Sequence, residues 1–365
     1  MVYFFMFAIS SVLFEFGIKT NPTKKIMILL SVLSLALLAG FRDFSIGTDV
    51  QIYGIYVFED IKNYHSILEL IFNNEMSIEL GYAIIAYISW HISHNPHFFF
   101  FMVGLINYSL IALAICKYKD DISPTMSWII FLCLYFSDTF NIMRQTLSLS
   151  VFLLGFNYLT NKDYIKMILC SFFAVLFHTT AIIGIIIYFI YYILNKPTFN
   201  PSKTAFIIIC IAFGATIILP YILPVLINGG LLPEIYKRYL GEGTLRLSVN
   251  SVLIRLIPLF IIFIFRNNLK QQNDYYFLLL MLILDTLICN LATLNDTFER
   301  ISLWFGYFRI FAYSKLVTSK VINRKKNRII LITFFLVYSI IIFYYQVILK
   351  GGNQIYPYTS EILGI

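Results

Sequence analysis

The chain has 365 residues, of which 59% are hydrophobic and 13% are charged, and its formal net charge is +8. Repeated apolar runs approach the roughly 20 residues that a helix needs to cross a bilayer, so the composition excludes a soluble globular protein. It also argues against nucleic-acid binding, because the basic residues lie mainly in short loops between apolar runs, as the positive-inside rule predicts. We therefore expect an all-α, polytopic transmembrane bundle.

The first two predicted spans cover residues 1–18 and roughly residues 25–41. The first span has neither a basic start nor a small-x-small cleavage site, which predicts a retained helix rather than a signal peptide. Lys19, Lys24 and Lys25 follow it without a neighbouring acid, so we expect a cytoplasmic loop there and the N-terminus outside. The second span then ends at the outer face.

A polar run begins where the second span ends. It reads Phe41-Arg-Asp-Phe-Ser-Ile-Gly-Thr-Asp-Val-Gln-Ile-Tyr53 and contains Arg42 and Asp49. Taken alone, Arg42 is better explained by contact with lipid headgroups, and Asp49 by capping a helix. In so apolar a chain, however, charged side chains at a membrane boundary need a partner, water or a ligand. The run as a whole predicts an outer-face loop that belongs to a functional site.

Residues 80–93 form an apolar stretch of about fourteen residues, which is short for a membrane span. Counting it as a crossing would break the alternation of basic loops, so we expect a re-entrant or interfacial helix on the outer side. His91, His94 and His97 follow at a spacing of three. Pro96 interrupts that helix and no carboxylate lies within the motif, so the histidines do not predict a metal site.

Ten further spans complete the predicted topology. They lie near residues 98–116, 124–137, 141–159, 164–178, 179–194, 204–227, 251–266, 274–292, 299–318 and 328–349. Basic loops between them alternate consistently with a cytoplasmic side, and the strongest mark is the set Lys315, Lys320, Arg324, Lys325, Lys326 and Arg328. The sequence therefore predicts about twelve spans in a single integral domain, residues 1–365.

Six polar residues from distant parts of the sequence map to the outer side in this topology. They are Arg42, Asp49, Arg144, His178, Arg255 and Arg300. Each alone has a structural explanation, such as a snorkelling arginine or a hydrogen-bonded histidine. The positive-inside rule predicts few arginines outside, however, so their conjunction indicates an outward cavity for an anionic ligand. Guanidinium groups bind phosphate oxygens in a bidentate manner, which favours a phosphate.

An ordered set of short motifs resembles a known family. The motifs are Ala39-Gly-Phe-Arg42, Ile46-Gly-Thr-Asp49, Tyr53, Glu79-Leu-Gly-Tyr82, Met143-Arg-Gln145, Phe177-His-Thr-Thr-Ala181 and Glu299-Arg-Ile301. Their order and spacing resemble the EpsG-like family of Wzy-type polysaccharide polymerases over most of the chain. Phe41 and Thr180 depart from the residues that are more usual there, and neither departure removes a group expected to take part in the chemistry.

The resemblance implies an enzyme of the bacterial plasma membrane with a GT-C-like fold and an active site facing outside. It would join undecaprenyl-pyrophosphate-linked oligosaccharide repeats into capsule, O-antigen or exopolysaccharide, without a metal or another cofactor. The implied partners are the lipid-linked oligosaccharide, membrane lipid, a chain-length regulator and a flippase.

The lipid pyrophosphate is the leaving group of such a reaction, and its developing charge needs a cation when no metal is present. Arg144, Arg300 and Arg255 are the expected stabilising residues. Arg42 is expected either to orient Asp49 or to bind the pyrophosphate.

A sugar hydroxyl must also lose its proton to a base as it attacks the anomeric carbon. His178 is the leading candidate for this catalytic base, and Asp49 is the runner-up. Tyr53 and Glu79 are expected to bind substrate, with the tyrosine ring suited to stacking on a sugar or to anchoring at the interface.

Two other functions remain open from the sequence. A flippase or exporter of lipid-linked oligosaccharide would also need cations for the pyrophosphate, but alternating access predicts polar residues near the bilayer midplane and usually a repeat. An outer-face glycan acyltransferase should show a paired catalytic motif and a route for the acyl donor, and we find neither. The polar cluster at one surface favours the polymerase.

Overall fold

The computed structural model describes residues 1–19, 24–74, 76, 78–230, 249–270, 274–318, 321–322 and 324–365. Across these residues the secondary structure consists of helices joined by turns and irregular loops, which confirms the predicted all-α class. Lys320, one of the predicted cytoplasmic bases, lies outside the described residues.

The α-helices fall close to the predicted spans. In chain order they are α1 (Val2–Lys19), α2 (Lys24–Phe41), α3 (Tyr56–Asp60), α4 (Ile67–Phe72), α5 (Leu80–Ile92), α6 (Pro96–Lys117), α7 (Pro124–Tyr135), α8 (Met143–Thr160), α9 (Tyr164–Phe177), α10 (Ile182–Leu194), α11 (Pro201–Asn228), α12 (Val249–Ile264), α13 (Arg266–Leu269), α14 (Tyr275–Asn290), α15 (Thr297–Gly306), α16 (Arg309–Leu316) and α17 (Lys325–Phe343). Turns of π-type at Val50–Ile55 and of 3₁₀-type at Ser137–Phe140 and Thr179–Ala181 lie between helices of this series.

Two of the long helices begin with an asparagine cap followed by a proline. Asn95 precedes α6 and accepts a hydrogen bond from a backbone N–H of its first turn, and Pro96 occupies the first helical position. Asn200 and Pro201 start α11 in the same way. A side-chain acceptor satisfies an N–H group that lacks a helical partner, and proline has no N–H to satisfy.

Five helices of the described chain are long and apolar enough to cross a membrane. They are Val2–Lys19, Pro96–Lys117, Pro201–Ile218, Tyr275–Thr293 and Lys325–Leu349. Shorter apolar helices cover Lys25–Phe41, Leu80–Ile92, Pro124–Tyr135, Tyr164–Phe177, Thr179–Leu194 and Val249–Ile264. These helices indicate a multi-pass membrane protein, because a helix satisfies its own backbone groups in lipid. The number of spans, about twelve, stays a prediction.

The chain divides into two compact units. The first consists of Met1–Ile185 together with Lys325–Ile365, and the second consists of Ile186–Arg324. The last helix, α17, therefore belongs to the same unit as α1 to α9, although the second unit separates them in the sequence. The expected single integral domain, residues 1–365, stays a prediction.

Small residues and buried hydrogen bonds hold the helices of the first unit together. A Cβ atom added at Gly40 of α2 would lie 2.8 Å from the Cβ atom of Phe101 of α6, so the two helices approach too closely for a larger residue. Asn107 of α6 donates through Nδ2 to Thr146 Oγ1 of α8 at 2.9 Å. Both kinds of contact are typical of helices packed within a membrane.

Both ends of α5 lie at the same end of the first unit. Arg42, just after α2, contacts the first residue of α8. Glu79, just before α5, is ion-paired with Arg144 of α8. Shortly after α5, His97 Nδ1 lies 2.7 Å from the carbonyl oxygen of Gly40, near the end of α2. With 13 residues, α5 is about 20 Å long, and the residues that flank it contact this end of the unit; its re-entrant or interfacial placement stays a prediction.

Buried charge pairs join the helices of the second unit. Arg255 Nε of α12 lies 3.4 Å from Asp285 Oδ1 of α14, and Arg309 of α16 pairs with the other oxygen of the same carboxylate. Lys315 and Asp274 form another buried pair. Paired charges avoid the large cost of an isolated ion in an apolar interior.

The span predicted at residues 299–318 consists of two helices rather than one. The helix α15 ends at Gly306, and α16 begins at Arg309. Between them, the N–H groups of Phe308 and Ile310 donate to carbonyl oxygens three residues back. This tighter 3₁₀-type bonding interrupts the α-helix, and apolar composition along the sequence does not reveal it.

Candidate functional site

Charged and aromatic side chains meet at the end of the first unit where α5 begins. This arginine cluster comprises Arg42, Tyr53, Glu79, Tyr82, Met143 and Arg144. Its members come from the turn after α2, the π-type turn, the beginning of α5 and the beginning of α8. The sequence predicts Arg42, Tyr53, Glu79 and Arg144 as site residues, and the structure brings these four together.

The Arg42 guanidinium is buried and has no carboxylate partner among the residues that the structure describes. The residue is 1% exposed, and Nη2 lies 3.5 Å from Met143 Sδ. Its Cζ atom lies 4.7 Å from the ring centre of Phe100 and 4.2 Å from that of Phe140. Nε and Nη1 donate to no acceptor within the described part of the chain. Since a buried cation with unfilled donors is costly, Arg42 is suited to receive an anion.

Arg144 is held by an acid and an aromatic ring. Its Nη1 atom lies 2.5 Å from Glu79 Oε2, and both side chains are largely buried. Its Cζ atom lies 4.0 Å from the ring centre of Tyr53, which is a cation–π contact. The other oxygen of Glu79 accepts a hydrogen bond of 3.4 Å from the backbone N–H of Thr179. Glu79 therefore links the beginning of α8 to the turn that follows α9.

Tyr82 fixes the π-type turn against α8. Its hydroxyl donates to the carbonyl oxygen of Tyr53 at 2.9 Å and lies 3.7 Å from Met143 Sδ. The charges of both cluster arginines, of Glu79 and of Asp49 act on this hydroxyl. Asp49 is therefore close enough to the arginine cluster to interact with it electrostatically.

Asp49 is half-buried at the beginning of the π-type turn. Its backbone carbonyl accepts from the N–H of Tyr53 at 2.9 Å, whereas its carboxylate makes no capping hydrogen bond to the turn. Thr48 Oγ1 lies 3.5 Å from Asp49 Oδ1. In the described residues, the Asp49 side chain therefore does not cap the π-type turn.

His178 ends α9 and is partly buried. Its Nδ1 atom accepts a hydrogen bond of 3.2 Å from the N–H of Thr180 and lies 2.7 Å from Thr180 Oγ1. A neutral imidazole that accepts at Nδ1 carries its proton on Nε2. In this arrangement the other ring nitrogen of His178 is a hydrogen-bond donor.

Arg255 and Arg300 lie in the second unit. Arg255 is buried and bound to Asp285, and its Nη1 donates to the carbonyl oxygen of Ser251 at 3.1 Å. Arg300 lies on α15 with an exposed side chain. The convergence of these two arginines with Arg144 and His178 stays a prediction.

The three histidines between the last turn of α5 and the first turn of α6 make separate contacts. His91 Nδ1 lies 2.9 Å from the carbonyl oxygen of Tyr87, and His97 stacks on Phe44 with ring centres 4.4 Å apart. His94 packs edge-on against an indole ring. Among the residues that the structure describes, no group of three or more His, Cys, Asp or Glu side chains is placed to hold a metal ion.

The surroundings of Arg42 are the part of the site that the sequence does not predict. Phe100, Phe140 and Met143 come from three different elements and enclose the guanidinium. Nothing in the sequence distinguishes these two phenylalanines from the other apolar residues of their helices. Only the tertiary packing identifies them.

Comparison with known proteins supports the family that the motifs predict. No curated protein and no solved structure matches the chain. The model of the EpsG family, which is linked to exopolysaccharide synthesis, matches residues 25–360. This match includes every residue of the arginine cluster and confirms the resemblance seen in the motifs. The chain belongs to the EpsG family.

Proposed function

We propose that the protein is a polysaccharide polymerase that acts on the outer face of the plasma membrane. It joins undecaprenyl-pyrophosphate-linked oligosaccharide repeats into capsule, O-antigen or exopolysaccharide. Membership of a family linked to exopolysaccharide synthesis supports this function. The observation that carries the proposal is the buried Arg42 guanidinium, because two of its nitrogens have no acceptor within the described chain.

The proposed topology has about twelve spans, with α5 as a re-entrant or interfacial helix. Two observations in the first unit support it. The beginning of α5 belongs to the arginine cluster, and His97, five residues after α5 ends, contacts the carbonyl oxygen of Gly40 near the end of α2. The basic residues Lys19, Lys325 and Lys326 lie at the opposite ends of α1 and α17 from those that approach the cluster. With these bases in the cytoplasm, the cluster faces outside.

In the proposed reaction, a hydroxyl oxygen of the incoming repeat forms a bond to the anomeric carbon of the growing chain. The bond from that carbon to the pyrophosphate oxygen breaks, and its electron pair leaves on the lipid pyrophosphate. The hydroxyl proton passes to a base. Negative charge grows on the phosphate, so guanidinium groups that are already in place lower the barrier.

We assign the pyrophosphate to Arg42 and Arg144. In Arg42, Nε and Nη1 have no acceptor among the described residues. Arg144 is held by Glu79 and by the Tyr53 ring, which fixes its guanidinium before the ligand arrives. Glu79 and Tyr53 thus act by positioning this arginine. The expected role of Arg300, which lies in the second unit, stays a prediction from the sequence.

Asp49 is our proposed base, and His178 is our proposed hydrogen-bond donor to the substrate. The Nδ1 atom of His178 accepts from the N–H of Thr180, so in the neutral imidazole Nε2 carries the proton and is the donor. Asp49 has a carboxylate that does not cap the turn behind it. Arg255 is engaged by Asp285, so we assign it to holding the second unit together.

The test uses purified protein in proteoliposomes with lipid-linked repeats extracted from the producing strain. We expect a ladder of longer products from the wild type. Arg144→Gln and Asp49→Asn should each slow product formation by roughly a hundredfold or more, because each removes charge at the reacting centre. His178→Gln should slow it less. Arg324→Gln, a change of an exposed arginine, is the matched control and should leave the ladder unchanged.

The same vesicles separate the proposal from its alternatives. Movement of the lipid-linked repeat across the bilayer without longer products would identify a flippase or exporter. Transfer of an acyl group to the glycan would identify an acyltransferase. A wild-type protein that yields no ladder, with or without an added chain-length regulator and flippase, would contradict the polymerase.

A further inference from the structure

The C-terminal segment folds back over the end of the first unit that carries the arginine cluster. This C-terminal strap consists of residues 351–365. Two N–H groups of the turn after α2 donate to the strap, Asp43 N to Thr359 O at 3.1 Å and Gly47 N to Gln354 O at 3.2 Å. The strap in turn donates from Glu361 N to Asp43 Oδ1 at 2.8 Å and from Ser360 Oγ to Phe41 O at 2.5 Å. The strap therefore binds Phe41, which precedes Arg42, and Asp43 and Gly47, which follow it.

Asn353 joins the strap to the wall of the Arg42 pocket. Its Nδ2 atom donates to Asp138 Oδ1 at 2.8 Å, and its carbonyl oxygen accepts from Asn141 Nδ2 at 2.8 Å. Asp138 and Asn141 flank Phe140, whose ring covers the Arg42 guanidinium. One side chain of the strap is thus connected to the aromatic wall of the site.

Gly47 shows how closely the turn after α2 packs against Phe140 and Asn141. Its φ angle is +107°, a region that favours glycine. A Cβ atom at this position would lie 2.8 Å from Asn141 Oδ1 and 2.9 Å from the carbonyl oxygen of Phe140. The turn therefore lies directly against the wall that Asn353 holds, and the strap binds the same glycine through its N–H.

We propose that the C-terminal strap is a positioning element of the site and that Asn353 is its principal positioning residue. The proposal rests on the proposed function, because it concerns the same arginine cluster. The turn from Phe41 to Asp49 is irregular, so its N–H groups depend on acceptors from elsewhere in the chain. The strap supplies acceptors for two of them, the N–H groups of Asp43 and Gly47, and thereby fixes where Arg42 and Asp49 lie. A misplacement of about 1 Å at a reacting centre can cost roughly a hundredfold in rate.

An exchange of charge between two residues tests the proposal. In Asn353→Asp, two carboxylates face each other and the hydrogen bond to Asp138 is lost. In the double variant Asn353→Asp/Asp138→Asn, the amide and the carboxylate change places and the bond can form again. Asn353→Gly removes the amide but keeps the left-handed backbone, whose φ angle is +61° here. Ile362→Ala, at an exposed position of the strap, is the matched control.

Two measurements are made on the full-length protein in the same detergent. Hydrogen–deuterium exchange of residues 43–49 should become faster in Asn353→Asp and Asn353→Gly, return to the wild-type rate in the double variant and stay unchanged in Ile362→Ala. In the polymer assay, kcat should fall roughly tenfold or more in the two single variants while KM stays within about twofold, because substrate binding is less sensitive to position than the chemical step. The double variant should recover kcat.

The exchange measurement needs no substrate, so it separates the two proposals. Faster exchange with recovery in the double variant would support the strap even if the wild type made no polymer, in which case only the proposed function fails. Unchanged exchange in Asn353→Asp and Asn353→Gly would overturn the strap. A fall in kcat with no recovery in the double variant would also overturn the assignment of Asn353 as a positioning residue.

Discussion

Arg42 and Arg144 show two ways of keeping a guanidinium at the end of a membrane bundle. Arg144 has a carboxylate partner in Glu79 and a ring beneath it. Arg42 has a sulfur atom and two phenylalanine rings, and two of its nitrogens have no acceptor within the described residues. A paired arginine needs no ligand to offset its charge, whereas on the proposed function an anionic ligand offsets that of Arg42.

Replacing Arg42 by methionine should therefore separate stability from activity. Arg42→Met removes a buried cation that lacks a carboxylate, so we expect an unchanged or raised Tm in detergent. The same change should lower polymer formation by roughly a hundredfold or more, because phosphate charge is no longer stabilised there. Arg42→Lys should also be impaired, since an ammonium lacks the planar fork.

The matched stability control for Arg42→Met is Arg144→Met, which leaves Glu79 largely buried without its partner and should lower Tm. A large loss of Tm in Arg42→Met, or a normal polymer ladder from it, would contradict the role given to this residue.

Asp43 provides a prediction about pH at the residue scale. Hydrogen bonds from the side chain of Thr359 and from the backbone N–H of Glu361 hold the pKa of Asp43 below its usual 3.8. A carboxyl with a lowered pKa in the folded state stabilises the protein above its unfolded pKa, and this stabilisation is lost as the pH falls through the folded pKa.

We therefore expect Asp43→Ala to lower Tm at about pH 6 and to have progressively less effect as the pH falls below about 3.8. The measurement is thermal unfolding of both proteins across this range. Asp120→Ala, at another exposed acid, is the control and should show no such convergence. A constant difference in Tm down to the lowest pH would contradict the prediction.

At the scale of elements, Asp285 links three helices of the second unit through Arg255 and Arg309. Its side chain is 2% exposed, so neither arginine can replace this partner with water. Asp285→Asn removes the carboxylate that both buried arginines share and should destabilise the protein by about 3–5 kcal/mol.

Unfolding in denaturant measures the effect of Asp285→Asn. The second change Arg255→Met, made in the same chain, should recover part of the loss because it removes one unpaired charge. Asp296→Asn, at an exposed acid of the second unit, should change stability little. An Asp285→Asn variant as stable as the wild type would show that this carboxylate does not hold α12 to its neighbours.

Most helices could be predicted from the sequence because lipid leaves the chain few alternatives. Apolar runs identify the helices, and residues such as Pro96 and Pro201 mark where two of them begin. The division between α15 and α16 could not be predicted, since a change from α-type to 3₁₀-type bonding alters hydrogen bonds rather than composition. The position of α5 was predictable only in part, from its shortness and the alternation of basic loops.

At the scale of the whole molecule, the sequence predicts which residues matter better than it predicts what they touch. Arg42, Tyr53, Glu79 and Arg144 stand out because they are polar residues in an apolar chain, and the structure brings them together. Asn353 does not stand out, because its partner Asp138 lies 215 residues away. Contacts over such distances depend on the path of every helix between them.

The arrangement of the two units also has a consequence for how the protein is made. Residues 325–365 are translated after the whole second unit, yet they supply α17 and the strap to the first unit. A nascent chain that has already inserted α1 to α9 therefore still lacks the hydrogen bonds that fix the turn around Arg42. On the proposed function, the enzyme becomes active only after both units have been translated and inserted into the bilayer. Partly translated chains are therefore inactive.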